Sequence, residues 1–210
     1  MVGLAGTMSA SATTVQFVNV GPGEQVGFTS PWISPTTANA GLYNLMVDSV
    51  ATPSFCIDVA DINNNNIFTD YFFSALSAAP PSPAGPMGST AATDVEKLWA
   101  QYYPAATVNN QDAAALQVAI WEVIAQEATS PYSITVNGND PVTIEAAAMI
   151  ASLPTLTETA PLMALIGPDG PSGEQTFVVA VPEPTTAGCF LLGLGVLTRF
   201  QRFAQKQRSS

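Results

Sequence analysis

The stretch Gln111 to Glu127, QDAAALQVAIWEVIAQE, decides how this chain is read. Asn109 or Asn110 stands just ahead of it, and an Asn side chain there caps the first free amides of a helix. Leu116, Ile120, Val123 and Glu127 fall on one stripe of that helix. Ala113, Gln117, Trp121 and Ile124 fall on the adjacent one. Gln117 is therefore a carboxamide on the apolar side of a helix, one turn from Trp121. A buried amide left without hydrogen bonds costs about 1–3 kcal/mol, so the fold must supply it with a partner.

Other elements follow on either side. Val15 to Val20 reads as a first strand, and Gly21-Pro22-Gly23 reads as the turn that ends it. Tyr43, Leu45 and Val47 alternate with Asn44, Met46 and Asp48, as in a half-buried strand. Ser54 to Val59 is another. Pro80 to Gly88 is Pro/Gly-rich and reads as loop. Thr93 or Asp94 can cap a helix to about Tyr103, which Pro104 follows. Thr143 to Ser152 predicts an Ala-rich third helix. Thr176 to Val179 returns to strand. The expected fold class is α+β. It comprises a β-sandwich or barrel-like sheet from N- and C-terminal strands, a central helical insertion, and a C-terminal transmembrane helix.

Composition narrows the function. The chain has 210 residues, 47% of them hydrophobic and only 10% charged, below the roughly 25% of an average globular protein. Of 16 acids and five bases, only Lys97 is basic before the last stretch, so up to Pro184 the balance is −15. Nucleic-acid binding needs cations to displace counterions, and the body has only Lys97. There is no His, which removes Ser-His and Cys-His nucleophilic catalysis. The reading is of a non-enzyme without cofactor or metal.

Three segments are expected. Residues 1–12 end in Ala10-Ser11-Ala12, a small-x-small signal-peptidase pattern, and read as the remnant of a signal peptide that starts upstream of Met1. Residues 13–180 form the folded body. Residues 181–210 form a tail. There Val181-Pro182-Glu183-Pro184 is rigid and extended. An uncharged apolar run, Thr185 to Thr198, comes next, and Arg199, Arg202, Lys206 and Arg208 close the chain. Basic residues beyond an apolar segment keep that end in the cytoplasm. The run is shorter than the ~20 residues of a full span, so Phe200 and Phe203 must extend it while the arginines snorkel.

This tail resembles the PEP-CTERM sorting signal in its Pro-Glu-Pro motif, short hydrophobic helix and arginine-containing end. The resemblance implies export and processing by an exosortase-type membrane enzyme. It also implies passage from the membrane to the cell surface or extracellular matrix, in bacteria that make exopolysaccharide.

The body holds one cysteine, Cys56, since Cys189 lies in the tail. An exported body with a single cysteine forms no internal disulfide. Phe55-Cys56-Ile57-Asp58 together with Leu116-Gln117-Val118-Ala119-Ile120-Trp121-Glu122 resembles the thioester domains of bacterial surface adhesins. Trp99 to Tyr103 resembles the helix that precedes their Gln motif. Leu116 stands where those domains often have Thr. Gln175 matches their late glutamine-containing strand, with Glu174 at a usually apolar place. The resemblance implies a bond between Cys56 and Gln117 in a pocket with Trp121 and Asp58, and covalent attachment to an amine or hydroxyl on a partner surface. For its own role, Trp121 reads as plain core rather than as a lid. The residues also fit a buried thiol beside an amide that satisfies neighbouring backbone. The whole protein is then a structural or exopolysaccharide-associated matrix protein.

Weaker signals remain. Asp61 to Ile67 alternates oxygen ligands like a calcium loop but lacks Gly at its sixth position and has Phe72 at its twelfth, so it reads as an Asn-rich turn. Lys97 reads as an exposed helix lysine. Asp58/Asp61 and Glu122/Glu127 read as solvated surface rather than as a glycosidase pair.

Overall fold

The computed structural model describes residues 12–60, 67–80, 84–168 and 174–181. Among these lie seven strands: β1 (Thr13–Thr29), β2 (Thr36–Val47), β3 (Val50–Cys56), β4 (Ile67–Ala75), β5 (Thr135–Asn137), β6 (Leu162–Ile166) and β7 (Phe177–Ala180). Three helices, α1 (Gly88–Ala106), α2 (Asn110–Glu127) and α3 (Asp140–Ser152), fall between β4 and β6 in sequence. The protein is thus a mixed α and β fold with one large antiparallel sheet. The expected transmembrane helix and the tail from Pro182 lie outside the described residues, as do Met1 to Ser11 and Asp61 to Asn66. Among the described residues no helix is long and apolar enough to cross a membrane.

The sheet order is β2-β3-β7-β6-β4-β1-β5, and β1 also pairs with β2. Six strands therefore close into a ring, and β5 is added at the far end of β1. Ring closure removes the open edges that an isolated sheet would expose.

β1 departs from the sequence reading. It runs straight through Gly21-Pro22-Gly23 instead of turning there. Register shifts at Phe17/Asn19 and Val20/Gly23 absorb the irregularity while pairing with β2 continues from Val15↔Val47 to Phe28↔Thr36. The reason is tertiary. Gly23 lies against Gly41, and a Cβ on Gly23 would come 2.5 Å from the Ala40 carbonyl oxygen. The glycine permits close strand approach rather than a turn. The turn signal that does operate is Asp48-Ser49, with φ of 48° and 69°, which joins β2 to β3.

The helices also differ at their ends. α1 starts at Gly88, not Thr93, and continues past Pro104 to Ala106. A proline in the last turn removes one helical bond, and the Thr107 amide still reaches the Tyr103 carbonyl at 3.1 Å. α3 starts at Asp140 with Pro141 in its first turn. α2 begins as expected. The Asn109 side chain accepts from the Gln111 and Asp112 amides at 2.8 and 3.1 Å.

α2 is the core helix. Every residue from Ala113 to Trp121 is buried, as are Val123, Ile124 and Ala125. A helix apolar all round must be covered on all sides, and α1, α3, β1 and β2 pack around it. Ala40, Gly41, Leu42 and Tyr43 are buried in succession, so β2 is covered on both faces where it passes α2.

Candidate functional site

Cys56 is the last residue of β3, and its surroundings follow from where β2 stops pairing. The β2–β3 ladder ends at Tyr43↔Ser54. Beyond it β2 continues with β1 alone, through Gly41↔Gly23. On the other side β3 keeps its partner: Cys56 lies opposite Phe177, and the Ile57 amide donates to the Thr176 carbonyl at 3.0 Å. The N–H and C=O of Cys56 face the gap that β2 leaves. In a dry interior two such groups must be satisfied.

Gln117 satisfies them. The Cys56 amide donates to Gln117 Oε1 at 2.9 Å, and Gln117 Nε2 donates to the Cys56 carbonyl at 2.8 Å. The carboxamide thus stands in for the missing peptide group of a neighbouring strand. Both residues are 0% exposed. The structure brings the two sequence-predicted residues together across 61 positions of chain. The Cys56 thiol donates to the Asp58 carbonyl at 3.0 Å, and the Asp58 amide approaches the same sulfur at 3.4 Å.

Asp58 is 5% exposed, with Oδ1 accepting from the Ala60 amide at 2.9 Å. It is a buried wall of the site, not part of a solvated surface. Trp121 lies one helical turn from Gln117, 3% exposed, with its ring 5.0 Å from that of Phe28. It packs as core, and its indole N–H has no hydrogen-bond partner among the described residues. Gln175 is 7% exposed, and its carbonyl accepts from the Tyr71 hydroxyl at 2.9 Å. Its side chain meets the Tyr43 hydroxyl, whose pKa burial drives well above the ordinary 10.0, with Cys56 adding to the rise.

Sequence reasoning missed several neighbours. Tyr43 was visible only as a strand residue. Its ring lies 5.4 Å from that of Phe177, the cross-strand partner of Cys56. Tyr132 follows α2 in a loop. Burial, then Asp58, then Cys56 push its phenol above the ordinary 10.0. Nothing in local sequence marks Tyr132 or Trp32, because loop and helix end meet only in the folded chain.

The remaining carboxylates lie elsewhere. Lys97 is paired with Asp94 at 2.8 Å rather than exposed and alone. Burial raises the Glu127 pKa above its ordinary 4.5, and Asp94 adds to that. Glu122 is raised by burial, so neither is simple solvated surface. Among the described residues no cluster of metal-ligating side chains occurs.

The site therefore holds the Gln117 carboxamide against the Cys56 backbone, with both residues fully buried. Compared with protein-family models, with curated proteins and with solved structures, the chain finds no match.

Proposed function

We propose that this chain is an exported bacterial cell-surface protein, an adhesin that attaches covalently through an internal Cys56–Gln117 thioester. The observation that carries the reading is the paired, fully buried contact between the Gln117 carboxamide and the Cys56 residue. The bond would form by attack of Cys56 Sγ on the Gln117 carboxamide carbon. Negative charge developing on Oε1 would meet the Cys56 N–H that already donates to it. Nε2 would leave as ammonia, taking the thiol proton. An amine arriving later would attack the same carbon, form an amide with Gln117, and return its proton to the Cys56 sulfur. Exclusion of water by Phe28, Trp121 and Tyr43 protects such a bond from hydrolysis.

The tail completes the proposal. Val181 to Pro184 serves as the sorting motif, cut by an exosortase-type enzyme. The apolar run serves as a transmembrane helix, and Arg199, Arg202, Lys206 and Arg208 as its cytoplasmic stop. The protein moves from membrane to cell surface or matrix and does not turn over substrate.

A second reading has its own observation. Both polar atoms of Gln117 are already satisfied by the backbone N–H and C=O of one residue, Cys56, and the thiol donates to the Asp58 carbonyl. Gln117 is then a structural patch in a non-reactive matrix protein. Intact mass of the purified chain separates the two. The thioester makes it lighter by one ammonia, and methylamine adds one adduct, mapped to Gln117. A full sequence mass with Cys56 open to alkylation in fresh protein overturns the adhesin reading.

A further inference from the structure

Two aromatic side chains lie beside the segment that leaves Cys56, and both hang from anchored backbone. Trp32 lies in the loop between β1 and β2. Ser30 Oγ accepts from the Trp32 and Ile33 amides at 3.3 and 3.1 Å and donates to the Val59 carbonyl at 2.7 Å. That last bond ties the loop to the segment leaving Cys56. Tyr132 is fixed from the other side, its amide donating to the Ala125 carbonyl at the end of α2 at 3.0 Å. The two rings meet edge-on, centroids 5.0 Å apart. Trp32 is 38% exposed, so it forms the outer leaf. The Tyr132 hydroxyl forms the inner one, buried, within electrostatic reach of Asp58 and Cys56, and without a hydrogen-bond partner among the described residues.

We propose that Tyr132, braced by Trp32, is the stopper of the Cys56 chamber, and that its outward swing is the step that admits an attacking amine. The admission of an amine rests on the thioester reading. The stopper itself concerns access to Cys56 and stands apart from it. The physical basis is an imbalance within one side chain. Closed, the ring keeps its contact with Trp32 while the hydroxyl goes unpaired. Open, the hydroxyl regains water. The unpaired group lowers the cost of opening, so the door is closed at rest yet poised to move. Removing the hydroxyl leaves the ring with no reason to leave. Removing the brace does the reverse.

The test uses the full chain with Cys189→Ser, in two backgrounds. In the first, Gln117 is retained and methylamine incorporation is followed by intact mass. In the second, Gln117→Met removes any thioester, and the rate at which a maleimide labels Cys56 is read by peptide mapping. Tyr132→Phe is expected to slow both rates about tenfold, and Trp32→Ala to accelerate both about fivefold. Labelling rates at Cys56 unchanged by both substitutions overturn the stopper. Labelling that shifts as expected supports it even where intact mass shows no ammonia loss, a result that instead removes the thioester.

Discussion

Two carboxamides repair breaks in this sheet, and they do so in opposite surroundings. Asn44 sits at the irregularity in β1. Its Nδ2 donates to Asn19 Oδ1 and to the Gly21 carbonyl, each at 2.7 Å. Gln117 fills the gap where β2 leaves β3. Asn44 reaches solvent, and its partner Asn19 is exposed. Gln117 is sealed, and the backbone it repairs belongs to the body's one cysteine. The same functional group performs the same repair, yet only one of the two can host acyl chemistry. On the thioester reading, a repair becomes a reactive site when water is excluded and a nucleophile is part of the repaired residue.

Substitution at the sealed repair should have the largest effect. Gln117→Ala leaves the Cys56 N–H and C=O unpaired beside a new cavity, at a cost of about 3–5 kcal/mol. For a chain of this size that lowers Tm by roughly 10 °C or more in a thermal melt. A drop no larger than that of the exposed repair would break the comparison.

Cys56→Ala comes next. It removes a small buried side chain but leaves the backbone repair in place, so about 1–2 kcal/mol is expected in urea unfolding. On the thioester reading, intact mass should also rise to the full sequence value for the variant. Persistence of an ammonia deficit would place the lost ammonia elsewhere.

Asn44→Ala is expected to cost about 0.5–1.5 kcal/mol, because water replaces the lost bonds. Hydrogen exchange should quicken near Gly21 but not at Cys56. Protection lost at both places would mean that the two repairs are one cooperative unit.

The smallest effect concerns pH at the end of the helix that carries Gln117. The Glu127 carboxyl titrates above its ordinary 4.5, through burial and then Asp94. A raised carboxyl favours the protonated fold. Its contribution is complete below the ordinary value and is lost as pH rises through the raised one. Melting temperature should therefore fall as pH is raised above 4.5, and Glu127→Gln should make that slope shallower. An unchanged slope would assign the pH dependence to the other carboxyls raised by burial, Glu96, Glu122 and Glu145.

Much of the helical layer was legible because its signals are local. Asn109 caps α2 by a contact within three residues. Alternation in Tyr43, Leu45 and Val47 reports a buried face directly. The pairing of Cys56 with Gln117 was legible only through motif resemblance, since no local force links residues 61 positions apart. Gly21-Pro22-Gly23 misled for a related reason. Local propensity reads a turn, while the facing Gly41 and the continuing ladder of β2 hold the segment extended.

By itself, then, the sequence determined an acidic body with one cysteine, a helix carrying an amide on its apolar side, and a tail in which Pro-Glu-Pro, an apolar run and basic residues follow in order. These are matters of composition and short-range order, which a chain carries before it folds. Only the tertiary structure decided where the amide goes. Closing six strands into a ring makes β2 part from β3 beside Cys56, and the Cys56 N–H and C=O left facing that gap must be satisfied in a buried space. The fold likewise brings the Trp32 and Tyr132 rings together, because loops distant in sequence become neighbours only in the folded chain.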